Sequence, residues 1–302
     1  MNNFDENYKS GFIAIIGKPN AGKSTLLNRI IGQKLAIVSP KPQTTRDAVL
    51  GILSRENFQM IFMDTPGLID PRNTLNQCLY DNAAEALRDV DLVYHIIDVT
   101  DPKPVTPAIE RLMNLSSAPK FLLANKIDRS GKPLDPANPA PHLDMDQYNE
   151  VFGISALRGD HVSELLEKSL ELLPEGPPYY DPEQISDRNL RFLSAEIIRE
   201  KTFELLGQEL PYSIAVQVEE FKERETGKTY IRAVIYVERD SQKGMVIGKG
   251  GKKLKEIGSA ARPDIEDLVG GPVFLDLWVK VRKNWTKKEN DLRNFGYFPK
   301  KH

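Results

Sequence analysis

The chain has 302 residues, a length typical of about two domains, and a 40% apolar fraction that is enough for ordinary cores. A single cysteine, Cys78, excludes an internal disulfide, and the lack of a signal-peptide pattern and of an apolar run near the about 18 residues that span a bilayer predicts a soluble, cytoplasmic protein. The net charge of −2 hides an uneven distribution: residues 221–302 carry 19 Lys and Arg against 11 Asp and Glu, a net charge of +8, and residues 1–220 carry 22 against 32, a net charge of −10. The basic part is a candidate for binding a polyanion, the alternative being a solvated basic surface.

The first part of the chain alternates short apolar segments with helical patterns. Near-continuous apolar runs of this length are typical of strands buried on both faces, and they predict strands at residues 12–16, 58–63, 92–97, 120–125 and 151–155. Helical patterns lie between them, at residues 23–31, 75–88, 107–115 and 162–172. This alternation predicts an α/β domain with a mostly parallel sheet covered by helices, whose ligands bind at the carboxyl ends of the strands.

The pattern changes after a proline-rich stretch. Four prolines in residues 173–189 predict a semi-rigid linker at 176–189, between a domain of residues 1–175 and a domain of residues 190–302. The second domain is predicted to be a small α+β domain. Its predicted elements, in order, are a helix at about 190–206, strands at 212–220 and 229–238, a glycine-rich loop, a helix, a strand at 273–281 and a basic tail. Another proline-rich stretch, residues 130–144, is predicted to be a surface loop.

The sequence GKPNAGKS, residues 17–24, fits the phosphate-binding pattern G-x-x-x-x-G-K-[ST]. It follows an apolar strand and opens a helix, so backbone N–H groups and the helix dipole can face phosphate oxygens. Lys23 is placed to reach the β- and γ-phosphates, and Ser24 to ligate Mg²⁺. The predicted phosphate-binding residues are Gly17, Lys18, Pro19, Asn20, Ala21, Gly22, Lys23, Ser24 and Thr25.

Two motifs at the ends of later predicted strands point to guanine. In NKID, residues 125–128, Asp128 would accept from N1–H and the 2-amino group of guanine. Adenine lacks this donor pair, so a buried Asp128 would be left unpaired against ATP, at a cost in affinity. In SAL, residues 155–157, the Ala156 N–H can contact guanine O6. The predicted base-side residues are Asn125, which supports the base edge, Lys126, Asp128, Ser155 and Ala156.

A fourth motif, DTPG at residues 64–67, ends a predicted strand and completes the set. Asp64 is predicted to hold Mg²⁺, directly or through water, and the Gly67 N–H to meet the γ-phosphate, with Thr65 and Pro66 between them. Four motifs in this order resemble the translation-factor-like class of P-loop GTPases. In that class a threonine between the phosphate loop and DTPG closes on Mg²⁺ and the γ-phosphate. Here Thr44 and Thr45 both fit, and the resemblance to TTR-type loops favours Thr45. The implied catalytic residues are Lys23, Thr45 and Gly67, and the implied Mg²⁺ ligands are Ser24, Thr45 and Asp64.

The water-positioning glutamine of Ras-like enzymes is missing. The residue after the DTPG glycine is Leu68, which cannot orient water, so either hydrolysis is slow or another group assists it. In some relatives an asparagine matching Asn20 helps hold a potassium ion that supplies positive charge beside the phosphates. The alternative is that Asn20 only shapes the loop, and the sequence identifies no general base.

The sequence MVIGKGG, residues 245–251, contains a G-x-x-G loop of the kind that clamps a single-stranded backbone across about four nucleotides in KH domains. Glycines allow close approach to sugar and phosphate, and lysines supply charge. The order of elements suits the type II KH variety. The alternative is a plain tight turn between a strand and a helix. The predicted RNA-binding residues are Met245, Val246 and Ile247 in an apolar groove, and Gly248, Lys249, Gly250, Gly251, Lys252, Lys253 and Lys255 in and after the loop.

A P-loop GTPase domain followed by a type II KH domain resembles the Era family of bacterial GTPases. The resemblance extends beyond the motifs and covers nearly the whole chain. It includes the segments at residues 194–201, 209–216, 245–251 and 277–285. The family implies GTP hydrolysis, binding of the single-stranded 3′ end of 16S rRNA, a role in small-subunit assembly, and peripheral association with the cytoplasmic face of the inner membrane. A monomer is expected.

One basic segment has two interpretations. LWVKVRKNWTKK, residues 277–288, sets two tryptophans among basic residues, a composition that suits contact with RNA or anionic lipid. However, Leu277, Val279 and Val281 alternate as in a half-buried strand, which is the structural interpretation for most of the stretch. The role of Trp285 and of the tail lysines is left open.

Overall fold

A computed structural model describes residues 7–38, 49–67, 74–103, 105–131, 135, 139, 143–206, 214–223 and 227–297. The described residues form two compact units. The first holds residues 7–36, 49–67 and 76–187, and the second holds residues 37–38, 74–75 and 188–297. Within the described part of the chain, no helix is long and apolar enough to cross a membrane.

The first unit is built on a six-stranded sheet with strand order β2-β3-β1-β4-β5-β6, in which only β2 runs antiparallel to its neighbour. The five strands predicted from apolar runs are confirmed. The strands are β1 (Lys9–Ile16), β2 (Val49–Ser54), β3 (Phe58–Asp64), β4 (Leu92–Asp98), β5 (Lys120–Asn125) and β6 (Glu150–Ile154). The helices are α1 (Lys23–Ile31), α2 (Thr74–Ala86), α3 (Pro107–Met113) and α4 (Val162–Leu172).

The central strands are buried on both faces, as their apolar runs predict. Phe62, Tyr94 and Phe121 on β3, β4 and β5 are fully buried, and their neighbouring ring centroids lie 6.1 and 6.2 Å apart. Strand β2 was missed by the sequence analysis because it is short and interrupted by glycine. Gly51 accommodates α1 there, since a Cβ atom would lie 2.5 Å from the Leu27 Cδ1 methyl carbon of that helix.

The stretch predicted as a linker is bound to the first unit over residues 176–187. The Ser10 hydroxyl donates to the Pro177 carbonyl at 2.7 Å, and the Gln59 amide donates to the Tyr180 carbonyl at 2.9 Å. The Ser186 hydroxyl donates to the Leu50 carbonyl at 2.7 Å. These contacts tether the stretch along the sheet, so the first unit extends to residue 187 rather than to 175.

The second unit packs three helices on a three-stranded sheet of order β7-β8-β9, with β8 and β9 parallel. Its elements are α5 (Leu190–Leu205), β7 (Ala215–Glu223), β8 (Thr229–Val237), α6 (Asp240–Ile247), α7 (Lys252–Val269), β9 (Val273–Val281) and α8 (Glu289–Asn294). Helix α6 was not predicted. It is a short helix whose start is stabilised by Gln242. The Gln242 side chain accepts from the Glu238 and Arg239 amides at 2.9 and 3.0 Å.

The two tryptophans of the basic segment have opposite environments. Trp278 on β9 is 54% exposed, whereas Trp285 is fully buried. The Trp285 ring centroid lies 5.0 Å from that of Phe295 and 5.8 Å from that of Tyr297. The predicted half-buried strand is confirmed, and Trp285 anchors the C-terminal segment.

We expect Trp285→Ala to destabilise the second unit by about 3–5 kcal/mol, because it removes a fully buried aromatic side chain and leaves a cavity. The matched control is Trp278→Ala, which removes an exposed ring and should cost less than about 1 kcal/mol. Urea denaturation followed by circular dichroism measures both. Equal costs would contradict the assigned anchoring role.

Candidate nucleotide site and nucleic-acid interface

The phosphate loop is preformed around a buried lysine. Gly22 precedes α1 with a φ of 109°, a conformation that favours glycine. Lys23 is only 4% exposed, and its Nζ donates to the carbonyls of Gly17 and Lys18 at 3.1 and 2.9 Å. Burial lowers the pKa of Lys23 to about 8, and the nearby Asp64 carboxylate partly offsets this. The loop therefore holds a desolvated cation where a phosphate would relieve the burial cost.

The predicted Mg²⁺ ligands Ser24 and Asp64 lie together. The Ser24 hydroxyl donates to Asp64 Oδ2 at 2.7 Å, and Asp64 is fully buried at the end of β3. A hydroxyl and a carboxylate oxygen side by side are hard donors of the kind that Mg²⁺ prefers. This pair fits the metal.

The DTPG loop lies against the phosphate loop. A Cβ atom at Gly67 would lie 2.8 Å from Cα of Pro19, so only glycine allows this approach. The Thr65 hydroxyl is buried and donates to the Ile15 carbonyl at 2.8 Å, which fixes the start of the loop. Gly67 is thus held beside the phosphate loop.

Asn125 joins the base side of the site to the phosphate side. Its Nδ2 donates to the Ala21 carbonyl at 2.7 Å, and its Oδ1 accepts from the Ala156 amide at 2.9 Å. A Cβ atom at Gly22 would lie 2.1 Å from this Nδ2, so the second glycine of the phosphate loop makes room for the bridge.

Asp128 is oriented by a second hydrogen bond. The buried Ser155 hydroxyl donates to Asp128 Oδ1 at 2.7 Å, which fixes the carboxylate predicted to contact guanine. Lys126 has a left-handed φ of 69°, and its Nζ pairs with Asp98 at 2.6 Å. The structure therefore brings the NKID and SAL motifs together.

One positioning residue was not identified from the sequence. Arg29 of α1 donates from its guanidinium to the carbonyls of Ala156 and Leu157, so the helix that follows the phosphate loop also supports the SAL turn. Its place on α1 gave no signal, because an exposed helical arginine is ordinarily a solvated side chain.

The structure also positions several other residues that were predicted to bind the nucleotide. Asn20 is exposed, with a left-handed φ of 65°, and Lys18 pairs with Asp101, so its side chain turns away from the loop. Thr25 lies in the first turn of α1, and Pro66 adjoins Gly67. Three residues, Thr44, Thr45 and Leu68, lie outside the described residues.

In the second unit, the G-x-x-G loop joins α6 to α7. Gly248, Gly250 and Gly251 have φ values of 70°, 60° and 76°, so all three adopt the left-handed region that favours glycine. The loop lysines Lys249, Lys252 and Lys255 are exposed and form no ion pair with any described residue, whereas Lys253 pairs with Glu256 at 2.7 Å. Charge is therefore available for phosphate at the loop.

The apolar residues before the loop differ in their exposure. Met245 is 58% exposed and Ile247 is half-buried, but Val246 is fully buried in the core. The predicted groove contact of the Val246 side chain is therefore wrong, because on α6 it points inward. Two other half-buried residues pack against the core: Leu254, which was not singled out from the sequence, and Leu277, which was predicted to lie on a half-buried strand. A Cβ atom at Gly258 of α7 would lie 3.3 Å from Leu277, so α7 approaches β9 closely there.

We expect Arg29→Ala to weaken guanine-nucleotide binding by about threefold to tenfold, since it removes the support of the SAL turn at a cost of about 1 kcal/mol. Titration with a fluorescent GDP analogue measures the affinity. Arg158→Ala is the matched control, because Arg158 is an exposed arginine in the same turn and its side chain makes no contact that the described residues reveal. Equal effects of the two variants would assign the loss to net charge rather than to positioning.

Comparison with known proteins agrees with this division of the chain. Residues 12–126 match a family of proteins described as 50S ribosome-binding GTPases, and residues 209–286 match the KH domain family. A crystal structure of Era in complex with MgGDPNP and nucleotides 1506–1542 of 16S ribosomal RNA is similar, with a TM-score of 0.89 and 39% identity. The match covers 97% of this chain and 100% of that one.

Two curated relatives, both named GTPase Era, match almost end to end. The protein from Carboxydothermus hydrogenoformans is 46% identical over 96% of this chain and 98% of its own length. The protein from Geobacter metallireducens is 45% identical over 97% of this chain and 99% of its own length. The preformed guanine-nucleotide site, the G-x-x-G loop and these similarities lead to one conclusion: this chain belongs to the Era family of GTPases.

Proposed function

We propose that this protein is a GTP-hydrolysing, RNA-binding factor for assembly of the small ribosomal subunit, with its second unit binding the single-stranded 3′ end of 16S rRNA. The proposal is carried by the presence of two features on one chain. One is the predicted guanine-nucleotide site, whose two loops Asn125 joins, and the other is the G-x-x-G loop with its unpaired lysines. The similar structure of Era with a 16S rRNA fragment supports the same RNA class here.

In the nucleotide site, Lys23 would contact the β- and γ-phosphates and the Gly67 amide the γ-phosphate. Ser24, Asp64 and Thr45 would hold Mg²⁺, with Thr44 as the alternative threonine. The metal would neutralise charge on the phosphate oxygens. Asp128 and the Ala156 amide would select guanine.

Hydrolysis needs help that Leu68 cannot give. Asn20, which is exposed in the phosphate loop, would help hold a potassium ion, and the alternative is that it only shapes the loop. If Asn20 only shapes the loop, hydrolysis would be slow unless another group assists it.

RNA would bind along the G-x-x-G loop. Left-handed glycines let the backbone approach sugar and phosphate, and Lys249, Lys252 and Lys255 supply charge. Bases would lie against the apolar groove beside the loop, with Met245 and Ile247 on one side and Leu254 and Leu277 as added candidates.

The segment that leads from α1 towards Thr44 and Thr45 offers a route for coupling nucleotide binding to RNA binding. Asn28 of α1 accepts from the Leu35 and Ala36 amides at 2.9 Å. Two residues later, Val38 belongs to the second unit and donates to Glu200 of α5 at 3.2 Å. Thr44 and Thr45 follow in the chain, and their ordering by γ-phosphate and Mg²⁺ would couple the bound nucleotide to RNA binding.

Asp128→Asn should lower GTP affinity by about a hundredfold or more, because the carboxylate that accepts two guanine donors is replaced by a group that is half donor. The variant keeps an oxygen for the Ser155 hydroxyl, so the loop should hold its shape. Xanthine carries a carbonyl in place of the 2-amino group and should bind the variant better than guanine does. Calorimetry with GTP, xanthosine triphosphate and ATP measures this. Unchanged preference for GTP would contradict the assignment of Asp128.

RNA affinity should depend on the bound nucleotide. We expect a difference of at least tenfold, about 1.4 kcal/mol, between the GDP form and a form with a non-hydrolysable GTP analogue, at fixed potassium and salt. Fluorescence anisotropy with an oligonucleotide from the 16S rRNA 3′ end measures it. Equal affinities would leave a plain RNA-binding module in which the nucleotide is structural.

Gly250→Asp is the control that separates RNA from lipid. Gly250 has open space around its Cβ position, and aspartate tolerates a left-handed φ better than most residues, so the fold should survive while the added charge repels phosphate. We expect RNA binding to be lost. Co-sedimentation with anionic vesicles that persists in this variant would support membrane-surface association through other residues.

A further inference from the structure

A second basic surface lies in the turn after β9, well beyond the G-x-x-G loop in the chain. Its residues are 283–288, here called the basic turn, and Lys283, Lys287 and Lys288 in it are exposed. None of these three lysines forms an ion pair with another residue of the described ranges. Most other lysines and arginines of the neighbouring strands are paired, as Arg232 is with Glu220 at 2.8 Å and Lys280 is with Glu219 at 2.8 Å. The basic turn therefore presents uncompensated charge.

The basic turn is held rigidly from below. Its central residue, Trp285, is fully buried against Phe295 and Tyr297. The Thr286 hydroxyl donates to Glu238 Oε1 at 2.7 Å, and Arg282 pairs with Asp291 at 2.6 Å. The backbone under the lysines is thus fixed by packing and hydrogen bonds, which lowers the entropy lost when a ligand binds.

The contact with Glu238 places the basic turn relative to the G-x-x-G loop. Glu238 lies two residues before the start of α6, and the loop immediately follows α6. Eight helical residues span about 12 Å, so the turn and the loop lie at the two ends of one short helix. Lys243 lies on that helix and has no ion pair among the described residues. Unpaired positive charge therefore occurs at both ends and between them.

A phosphate backbone is the polyanion that this arrangement favours. A lipid surface is bound most firmly when apolar side chains insert beside the charges, and the large apolar side chain of the turn is buried instead. A nucleic-acid backbone needs only spaced phosphate contacts. The loop at the other end of α6 already has the geometry for such a backbone.

We propose that the basic turn is a second phosphate-binding site, which holds the RNA strand on one side of the four nucleotides taken by the G-x-x-G loop. This inference rests on the proposed RNA-binding function. It assigns Lys283, Lys287 and Lys288 to phosphates outside the groove, and it assigns Trp285 to holding the turn in place rather than to touching RNA.

The test uses the full chain with the triple substitution Lys283→Gln, Lys287→Gln and Lys288→Gln. The matched control is Lys222→Gln, Lys228→Gln and Arg262→Gln, which removes the same charge from exposed positions of the same unit. Three RNAs from the 16S rRNA 3′ end are compared: a core of about six nucleotides that fills the groove, and two of about twelve that extend it at the 5′ or the 3′ end. Unchanged urea midpoints verify that both variants fold.

We expect the triple variant to bind the core RNA normally and to lose at least tenfold affinity for one of the two extended RNAs. The plot of log affinity against log salt for that RNA should become shallower by about 2, since each phosphate contact on a single strand contributes about 0.7. Equal affinity for all three RNAs, equal loss on all three, or the same loss in the control would overturn the inference. Loss of anionic-vesicle binding with RNA binding intact would overturn it in favour of a lipid surface. If the unsubstituted protein bound none of the RNAs, the proposed function itself would fail.

Discussion

The shape of the nucleotide site depends on the two hydrogen bonds of the buried Asn125 carboxamide. This carboxamide pairs at once with the Ala21 carbonyl and the Ala156 amide, which are 104 and 31 residues away in the chain. All three groups are buried, so removing the carboxamide would leave two backbone groups unsatisfied, at about 1–3 kcal/mol each. The predicted phosphate loop and the SAL turn are therefore joined through one side chain, and a shift of either would break a buried hydrogen bond.

Much of the first unit could be predicted because its central strands are buried on both faces. Such strands appear in the sequence as continuous apolar runs, and the motifs then fall where the strands end. Strand β2 was not predicted, because it lies at the edge of the sheet and contains Gly51. That glycine accommodates α1, a contact between segments that are distant in the chain. The attachment of residues 176–187 also depends on hydrogen bonds to distant strands, and proline content reports only local stiffness.

The direction of a side chain was the hardest property to predict. Val246 sits between Met245 and Ile247 in an apolar run that looks uniform, yet the helical turn of α6 sends Val246 into the core and leaves Met245 exposed. Trp278 and Trp285 likewise look alike in the sequence. Strand alternation exposes the first, while the second is covered by aromatic residues of the segment that follows it. The support that Arg29 gives to the SAL turn likewise depends on a contact between residues 127 positions apart in the chain.

The charge of the chain has a different meaning in each half. Residues 1–220 carry a net charge of −10 and still contain a site for a polyanionic nucleotide. This is possible because the nucleotide responds to local groups: backbone amides, the start of α1 and one desolvated lysine. Burial lowers the pKa of Lys23 to about 8, so the charged ammonium is poorly solvated and a phosphate beside it would be a strong, short-range partner. The lysines proposed to meet RNA in the second unit are exposed rather than buried. Their attraction for RNA phosphates is long-range and weakened by salt. Nucleotide binding should therefore depend less on salt than RNA binding does, because a buried charge is screened less than exposed charges, and salt would separate the two experimentally on one chain.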